Sequence, residues 1–201
     1  ALLVVGRPRL DIWARIARIG APAATTGVVF SFIYVLLTRT TTQFGTPALA
    51  ALGLGFRVES IVYVVSVGAG AAVAAIVGQS LGAGDVDRAR RAGWSAVSLV
   101  SVLGGMMALV TVAIPETLAG VFSTDTAVVA EAAHYLQIAA FCQLFLGAEV
   151  VLESAMGGAG WTLAPMLGST AITALRIPVG AWAASQFGTT GLWWTLALTA
   201  A

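Results

Sequence analysis

Residues 76–94 read IVGQSLGAGDVDRARRAGW, a glycine-rich bend and a charge cluster between two long apolar runs. The bend separates segments that are each long enough to cross a bilayer as a helix, which takes about 20 apolar residues. Three arginines, Arg88, Arg90 and Arg91, follow the glycines. Because basic residues collect on the cytoplasmic side of membrane helices, this bend orients the segments around it.

The composition identifies an integral membrane protein. Hydrophobic residues make up 59% of the chain and charged residues 9%, and the mean hydropathy is +0.94, whereas soluble domains carry about a quarter charged residues. Apolar and polar residues do not alternate as they do in a membrane barrel, so helices must satisfy the backbone in lipid. A net charge of +1 gives no reason to expect a nucleic-acid partner.

We therefore predict an all-α fold, a polytopic bundle of transmembrane helices. Residues 1–19, which precede the first predicted transmembrane helix, are expected to be either a cytoplasmic linker or an amphipathic helix at the membrane surface. Within residues 20–201 the predicted helices span about 20–38, 47–81, 93–114, 125–156, 163–186 and 191–201. The first residue is Ala and the sixth helix is short, so we expect a fragment that is truncated at both ends.

The arginines predict the orientation, since all ten basic residues are arginines. Seven of them precede the first predicted span or follow the second: Arg7, Arg9, Arg15, Arg18, Arg88, Arg90 and Arg91. The positive-inside rule then places the N-terminal end and the 82–91 bend in the cytoplasm, in a multi-pass protein of the cell (inner) membrane.

Two charged residues lie inside the second predicted helix. Glu59 is roughly 34 Å from Gly82 along a helix axis, near the opposite boundary of the hydrocarbon. Arg57 is two residues away, on nearly the opposite face, so the two side chains cannot pair well. We expect boundary charges that meet water, headgroups or a neighbouring helix, with a functional role for Glu59 as the alternative.

A second charged group follows in the fourth and fifth predicted helices. Glu149 and Glu153 share one helix face, and Arg176 on the next, antiparallel helix could reach Glu149. One interpretation makes Glu149 a protonatable coupling group, and the other makes the pair a structural lock between two helices. The sequence leaves both open and favours the lock.

Other side chains give weaker signals. His134 has no second histidine, cysteine or aspartate on its helix face, so no metal site is expected, and Cys142 is interpreted as a packing thiol. No nucleophile or metal cluster indicates an enzyme, and no cofactor is predicted. Aromatic residues that could line a cleft for cations through cation–π contacts, or simply pack, are Phe30, Tyr34, Tyr63, Phe141 and Phe145.

The segment IVGQSLGAGDVDRARRAG resembles the signature that ends the second helix of each six-helix bundle in the multidrug and toxic compound extrusion (MATE) family. Gln79, Gly82 and Gly84 match that signature, with Ser80 where Asn is common. ALAALGLGFRVES, AMGGAGWTLAPM, and LRIPVGAW with Pro178 followed by GTTGLWW are similar to further family segments, in the family's order. The basic linker and the last two segments resemble the C-terminal bundle.

The resemblance implies one six-helix lobe of a two-lobe secondary antiporter, with the N-terminal lobe of the same protein as its partner. Such proteins export small organic, often cationic, compounds from a cleft in exchange for H⁺ or Na⁺ by alternating access. The resemblance places a coupling carboxylate in the first helix of this lobe in some members, but the first predicted span has none, which leaves open whether coupling resides in the missing lobe. Within this chain the ion-coupling candidates are Glu59, Glu149, Glu153 and Arg176. The alternatives are a flippase for lipid-linked saccharides and, from another class, a membrane scaffold.

Overall fold

The computed structural model describes residues 10–199, and all the regular structure in that range is helical. A 3₁₀ turn, Thr42–Phe44, connects the first two helices. The helices are α1 (Leu10–Thr41), α2 (Thr46–Gly82), α3 (Val86–Ala113), α4 (Pro115–Gly120), α5 (Thr126–Gly158) and α6 (Leu163–Thr199). By length and composition, α2, α3 and α5 can each cross a membrane.

Residues with clear local roles begin these helices. Pro47 lies in the first turn of α2, where its missing N–H costs nothing. Asp85 caps α3 by accepting a hydrogen bond from the backbone N–H of Arg88 at 2.9 Å. Asp125 caps α5 in the same way, accepting from the N–H of Ala127 at 2.9 Å.

The bend between α2 and α3 is short because its backbone groups pair locally. Gly84 has φ 77°, a left-handed conformation that suits glycine. The N–H of Asp85 then donates to the carbonyl of Ser80 at 2.9 Å. Gly82 ends α2, and the neighbouring Gln79 side chain is exposed.

Several predicted boundaries are wrong. Helix α1 runs without a break from residue 10 to 41, so within the described residues no separate linker helix ends at residue 19. Helix α3 starts at Val86 rather than at residue 93. Asp85 caps the helix, so the charged residues that follow it form the first turns of α3. The short helix α4 was not predicted.

The predicted break between residues 186 and 191 is a sharp bend inside α6. Gly188 has φ 63° and ψ −146°, so two helical segments meet there. We call residues 163–187 the leading segment and residues 189–199 the returning segment. The bend is tight, since a Cβ on Gly191 would overlap the backbone of Ala183.

Two apolar cores hold the helices together, one near each end of the bundle. The first core joins α1, α2, α4, α5 and both segments of α6. Its most buried members include Ile33, Leu52, Val58, Leu136, Leu192 and Trp193. The second core contains only residues of α2, α3 and α5, namely Val73, Val77, Ala89, Val97, Val100 and Val151, with four partly buried neighbours.

Candidate functional site

A small cavity lies in the first core. Its volume is about 20 Å³, which is room for about one water molecule. The residues that line it come from α1, α2, α5 and both segments of α6: Tyr34, Phe56, Glu59, Tyr135, Ala139, Cys142, Arg176, Trp193, Leu196 and Ala197. It therefore brings one carboxylate and one guanidinium together in otherwise aromatic and apolar surroundings.

Glu59 is the acidic group of this cavity, and Tyr135 holds it. The Tyr135 hydroxyl donates a hydrogen bond of 2.7 Å to Oε1 of Glu59. The Tyr135 ring is only 3% exposed, and its edge meets the Trp193 ring with centroids 4.9 Å apart. A tyrosine fixed on two sides places its hydroxyl in one position, so the carboxylate has a defined donor.

Further hydrogen bonds join α5 to the returning segment of α6. Nε1 of Trp193 donates to Oε1 of Glu131 at 2.9 Å. One turn away, Nε2 of His134 lies 3.1 Å from the Thr190 hydroxyl. These contacts give His134 and Glu131 a structural role at the interface between the two helices.

Arg176 is the basic group of the cavity, and it is 5% exposed. Its Nε donates to the hydroxyl of Thr199 at 2.8 Å, and its Nη2 donates to the carbonyl of Thr199 at 2.7 Å. Thr199 belongs to the returning segment, so these two bonds tie the two segments of α6 together. They also fix the guanidinium at the wall that Glu59 shares.

The predicted contact between Arg176 and Glu149 is wrong. Among the described residues the two form no ion pair, because Thr199 supplies two oxygen acceptors to the guanidinium. Glu149 and Glu153 are exposed on α5 and outside the cavity. The sequence analysis expected an incomplete sixth helix over residues 191–201 and did not consider Thr199 as a partner of Arg176.

The two charges of α2 have separate environments, as their spacing predicts. Arg57 is exposed, whereas Glu59 is half-buried and meets its donor on α5. The favoured interpretation of Glu59 as a boundary charge did not anticipate its place in a cavity wall.

Of the five aromatic candidates only Tyr34 lines the cavity. Its ring lies 4.7 Å from that of Phe30 and 5.0 Å from that of Phe56, centroid to centroid. Phe30 itself is 41% exposed and outside the lining.

The other three aromatic candidates, Tyr63, Phe141 and Phe145, are between 44% and 49% exposed. Phe141 and Phe145 contact each other, with ring centroids 5.6 Å apart. None of the three belongs to the cavity wall.

The sequence analysis missed three cavity aromatics: Phe56, Tyr135 and Trp193. A signal for one of them was present, since Glu131, His134 and Tyr135 follow helical spacing and mark a polar face on α5. Trp193 falls on the short last helix, and Phe56 could not be told from a packing residue.

The remaining predicted residues lie away from the cavity. Gln79, Gly82 and Gly84 belong to the α2–α3 bend, and Pro178 lies inside α6 two residues after Arg176. No group of three metal-ligating side chains occurs in the part of the chain that the structure describes.

Comparisons with known proteins agree with this architecture. The MatE family profile matches residues 22–182. The multidrug resistance protein NorM of Burkholderia vietnamiensis is 33% identical over 199 residues, which is 95% of this chain and 43% of that protein. A probable multidrug resistance protein NorM of Deinococcus radiodurans is 31% identical over 186 residues, 89% of this chain and 40% of that protein.

A solved structure shows the same fold. The Vibrio cholerae MATE transporter VcmN in its bent form superposes with a TM-score of 0.84 at 24% identity, over 96% of this chain and 44% of VcmN. The chain thus spans about two fifths of the length of the relatives that it matches. Since the profile covers well over half of these residues, the chain belongs to the MATE family of multidrug and toxic compound extrusion proteins.

Proposed function

We propose that the protein containing this chain is a secondary antiporter that exports organic cations in exchange for H⁺ or Na⁺ by alternating access. The chain forms one lobe, and a second six-helix lobe of the same protein, N-terminal to it, closes the cleft. The curated relatives are named multidrug resistance proteins, which supports drug efflux.

The observation that carries this proposal is the carboxylate of Glu59 in the cavity wall. A glutamate inside an apolar helix bundle is costly and needs a partner, and such residues often mark ion or proton pathways. Here its oxygen is held by Tyr135 at 2.7 Å, and Arg176 lines the same cavity. Gain or loss of a cation at this carboxylate changes the charge balance between α2, α5 and α6.

The charges around that carboxylate bear on the class of substrate. The cavity itself, at about 20 Å³, has room for about one water molecule and not for an organic cation. The only described cation of the wall, Arg176, is engaged by Thr199. With that cation engaged, the described wall offers no free basic group to the anionic lipid-linked saccharide of a flippase, which favours the antiporter.

The orientation is part of the proposal. The protein would span the cell membrane several times, with the α2–α3 bend in the cytoplasm. The arginines of that bend are exposed at the start of α3, where they can meet water and anionic headgroups.

The test is dye efflux by the full-length protein in membrane vesicles, with a proton gradient and a sodium gradient imposed separately. Dye movement that one gradient drives, and that stops when this gradient is collapsed, establishes antiport and names the ion. Absence of dye movement under both gradients, with folded and inserted protein, contradicts the proposal and points to the flippase.

A matched pair of variants tests the role of Glu59. Glu59→Gln removes the charge from the cavity, whereas Glu131→Gln removes a carboxylate that also accepts an aromatic hydrogen bond but lies outside the lining. We expect gradient-driven efflux to fall at least tenfold in Glu59→Gln and less than twofold in Glu131→Gln. Equal rates in the two variants would exclude Glu59 from coupling and leave Glu149 and Glu153 as candidates.

A further inference from the structure

The two charges of the cavity wall do not touch each other. Glu59 and Arg176 line the same cavity, yet among the described residues no nitrogen–oxygen contact joins them. Opposite charges inside an apolar bundle gain little from each other unless hydrogen bonds satisfy their remaining donors and acceptors. A group that hydrogen-bonds to both is therefore needed between them.

Each charge has a hydrogen-bonding atom to spare. Oε1 of Glu59 accepts from the Tyr135 hydroxyl, and within the described part of the chain no donor bonds to Oε2. Arg176 donates to Thr199 through Nε and Nη2, and no acceptor among the described residues bonds to Nη1. Tyr34, which lies near both charges, adds a hydroxyl to the same wall.

The size and chemistry of the cavity select the group that can join the two charges. Its volume is about 20 Å³, whereas one buried water needs about 10–15 Å³ and makes about three hydrogen bonds. Cavities of this size stay dry when their walls are apolar. This wall carries a carboxylate, a guanidinium and two tyrosine hydroxyls, so it meets the requirements for a bound water.

We propose that the cavity binds one ordered water molecule that bridges Glu59 to Arg176. The water donates to Oε2 of Glu59 and accepts from Nη1 of Arg176, so it completes the hydrogen bonds of both charges. It thereby links α2 to both segments of α6, because Arg176 on the leading segment also holds Thr199 on the returning segment.

The bridge gives the proposed antiport, on which this step rests, a route from the carboxylate to α6. The hydrogen bond from the water to Glu59 is charge-assisted only while the carboxylate is ionised. A cation that neutralises Glu59 therefore weakens the bridge. Arg176 then loses part of its hydrogen bonding on the side that faces α2, while Thr199 continues to hold the other side.

Radiolytic labelling of the full-length protein in detergent tests for the water. An X-ray pulse converts a bound water into hydroxyl radicals in place, and these oxidise the side chains that contact it, even where bulk solvent has no access. Tyr135 and Trp193 are buried and line the cavity, so mass spectrometry of these two rings reads the site. Radicals made from peroxide in bulk solvent are the reference, and both labelling rates are normalised to the exposed Trp161 between α5 and α6.

A matched pair of variants ties the labelling to the cavity. Ala139→Val adds two methyl groups to a wall residue, whereas Ala140→Val adds them to a buried neighbour outside the lining. Ala197→Val fills the cavity from the returning segment and replaces Ala139→Val if that variant does not fold.

We expect X-ray labelling of Tyr135 to exceed its labelling by bulk radicals at least fivefold. It should fall at least fivefold in Ala139→Val and less than twofold in Ala140→Val. Equal labelling by the two radical sources overturns the proposal, because it indicates a cavity open to bulk solvent. Labelling that stays unchanged when the cavity is filled also overturns it.

Efflux by the same variants tests the role of the bridge in coupling. Ala139→Val should lower gradient-driven efflux at least fivefold, and Ala140→Val less than twofold; equal efflux in the two variants overturns that role. The labelling needs no transport, so a negative labelling result removes the water and leaves the proposed antiport standing. Absence of gradient-driven efflux in the unsubstituted protein removes the antiport and leaves the water.

Discussion

Gly55 of α2 positions the donor of the cavity carboxylate. A Cβ at this position would overlap two carbons of the Tyr135 ring and lie 2.9 Å from Cζ. The ring is 3% exposed and meets Trp193, and the cavity that it lines has room for only about one water molecule. Gly55→Ala must therefore displace the ring and its hydroxyl from Glu59.

The structure gives the size of the effect. The displaced hydroxyl loses a hydrogen bond to a carboxylate, worth about 1.5–3 kcal/mol, and overpacking costs about 1–3 kcal/mol. Because alanine has a higher helix propensity than glycine, the substitution also stabilises the helix by about 1 kcal/mol. We expect a net loss of about 1.5–5 kcal/mol in the free energy of unfolding, which lowers the melting temperature.

Melting of the purified full-length protein in detergent, with efflux measured in parallel, checks this expectation. Gly53→Ala is the control, because a Cβ there has no neighbour within 4 Å and only the propensity gain remains. Gly55→Ala should lose most gradient-driven efflux, whereas Gly53→Ala should keep it. If Gly55→Ala melts at the same temperature as Gly53→Ala and transports normally, the inference that Gly55 leaves space for the Tyr135 ring is refuted.

Three further substitutions probe other parts of the bundle. Gly158→Ala brings a Cβ against the backbone of α2, whereas a Cβ in Gly157→Ala has no neighbour within 4 Å. Gly158→Ala should therefore melt at a lower temperature than Gly157→Ala, with a loss of stability of about 1–3 kcal/mol. Asp85→Ala removes the cap of α3 and should cost about 1 kcal/mol in a denaturant titration, with efflux retained. Thr199→Val removes one acceptor of Arg176. It should lower the free energy of unfolding by about 1–3 kcal/mol and reduce efflux. Unchanged stability and efflux would contradict the positioning of the guanidinium by Thr199.

The helical class and the family could be predicted from the sequence because both depend on local patterns. Long apolar runs require helices in lipid, and the bend around Gly84 requires a glycine for its left-handed backbone. The cap of α5 at Asp125 is a local signal of the same kind, whereas the cap of α3 at Asp85 was not recognised. The start of α3 was misplaced because charged residues in its first turns were interpreted as loop.

The site was less predictable because it depends on contacts between distant segments. Tyr135 and Glu59 are 76 residues apart in the sequence, and Arg176 and Thr199 are 23 apart. A helix face can be inferred from spacing, but its partner helix cannot. Arg176 was correctly placed inside a helix, and the choice of Glu149 as its partner failed because Thr199 satisfies the same donors.

The polar contacts of this lobe form one connected arrangement rather than isolated pairs. Tyr135 links α2 to α5 through Glu59, and its ring meets Trp193 of the returning segment. That segment in turn holds Arg176 of the leading segment through Thr199. Under the proposed function, a change of charge at Glu59 is therefore expected to act on α5 through the Tyr135 hydroxyl and on both segments of α6 through the cavity that they line. Gly188 breaks the helix between those segments, and the two hydrogen bonds from Arg176 to Thr199 hold the segments together, so the charge at Glu59, the ring of Tyr135 and the angle of this bend belong to one set of contacts.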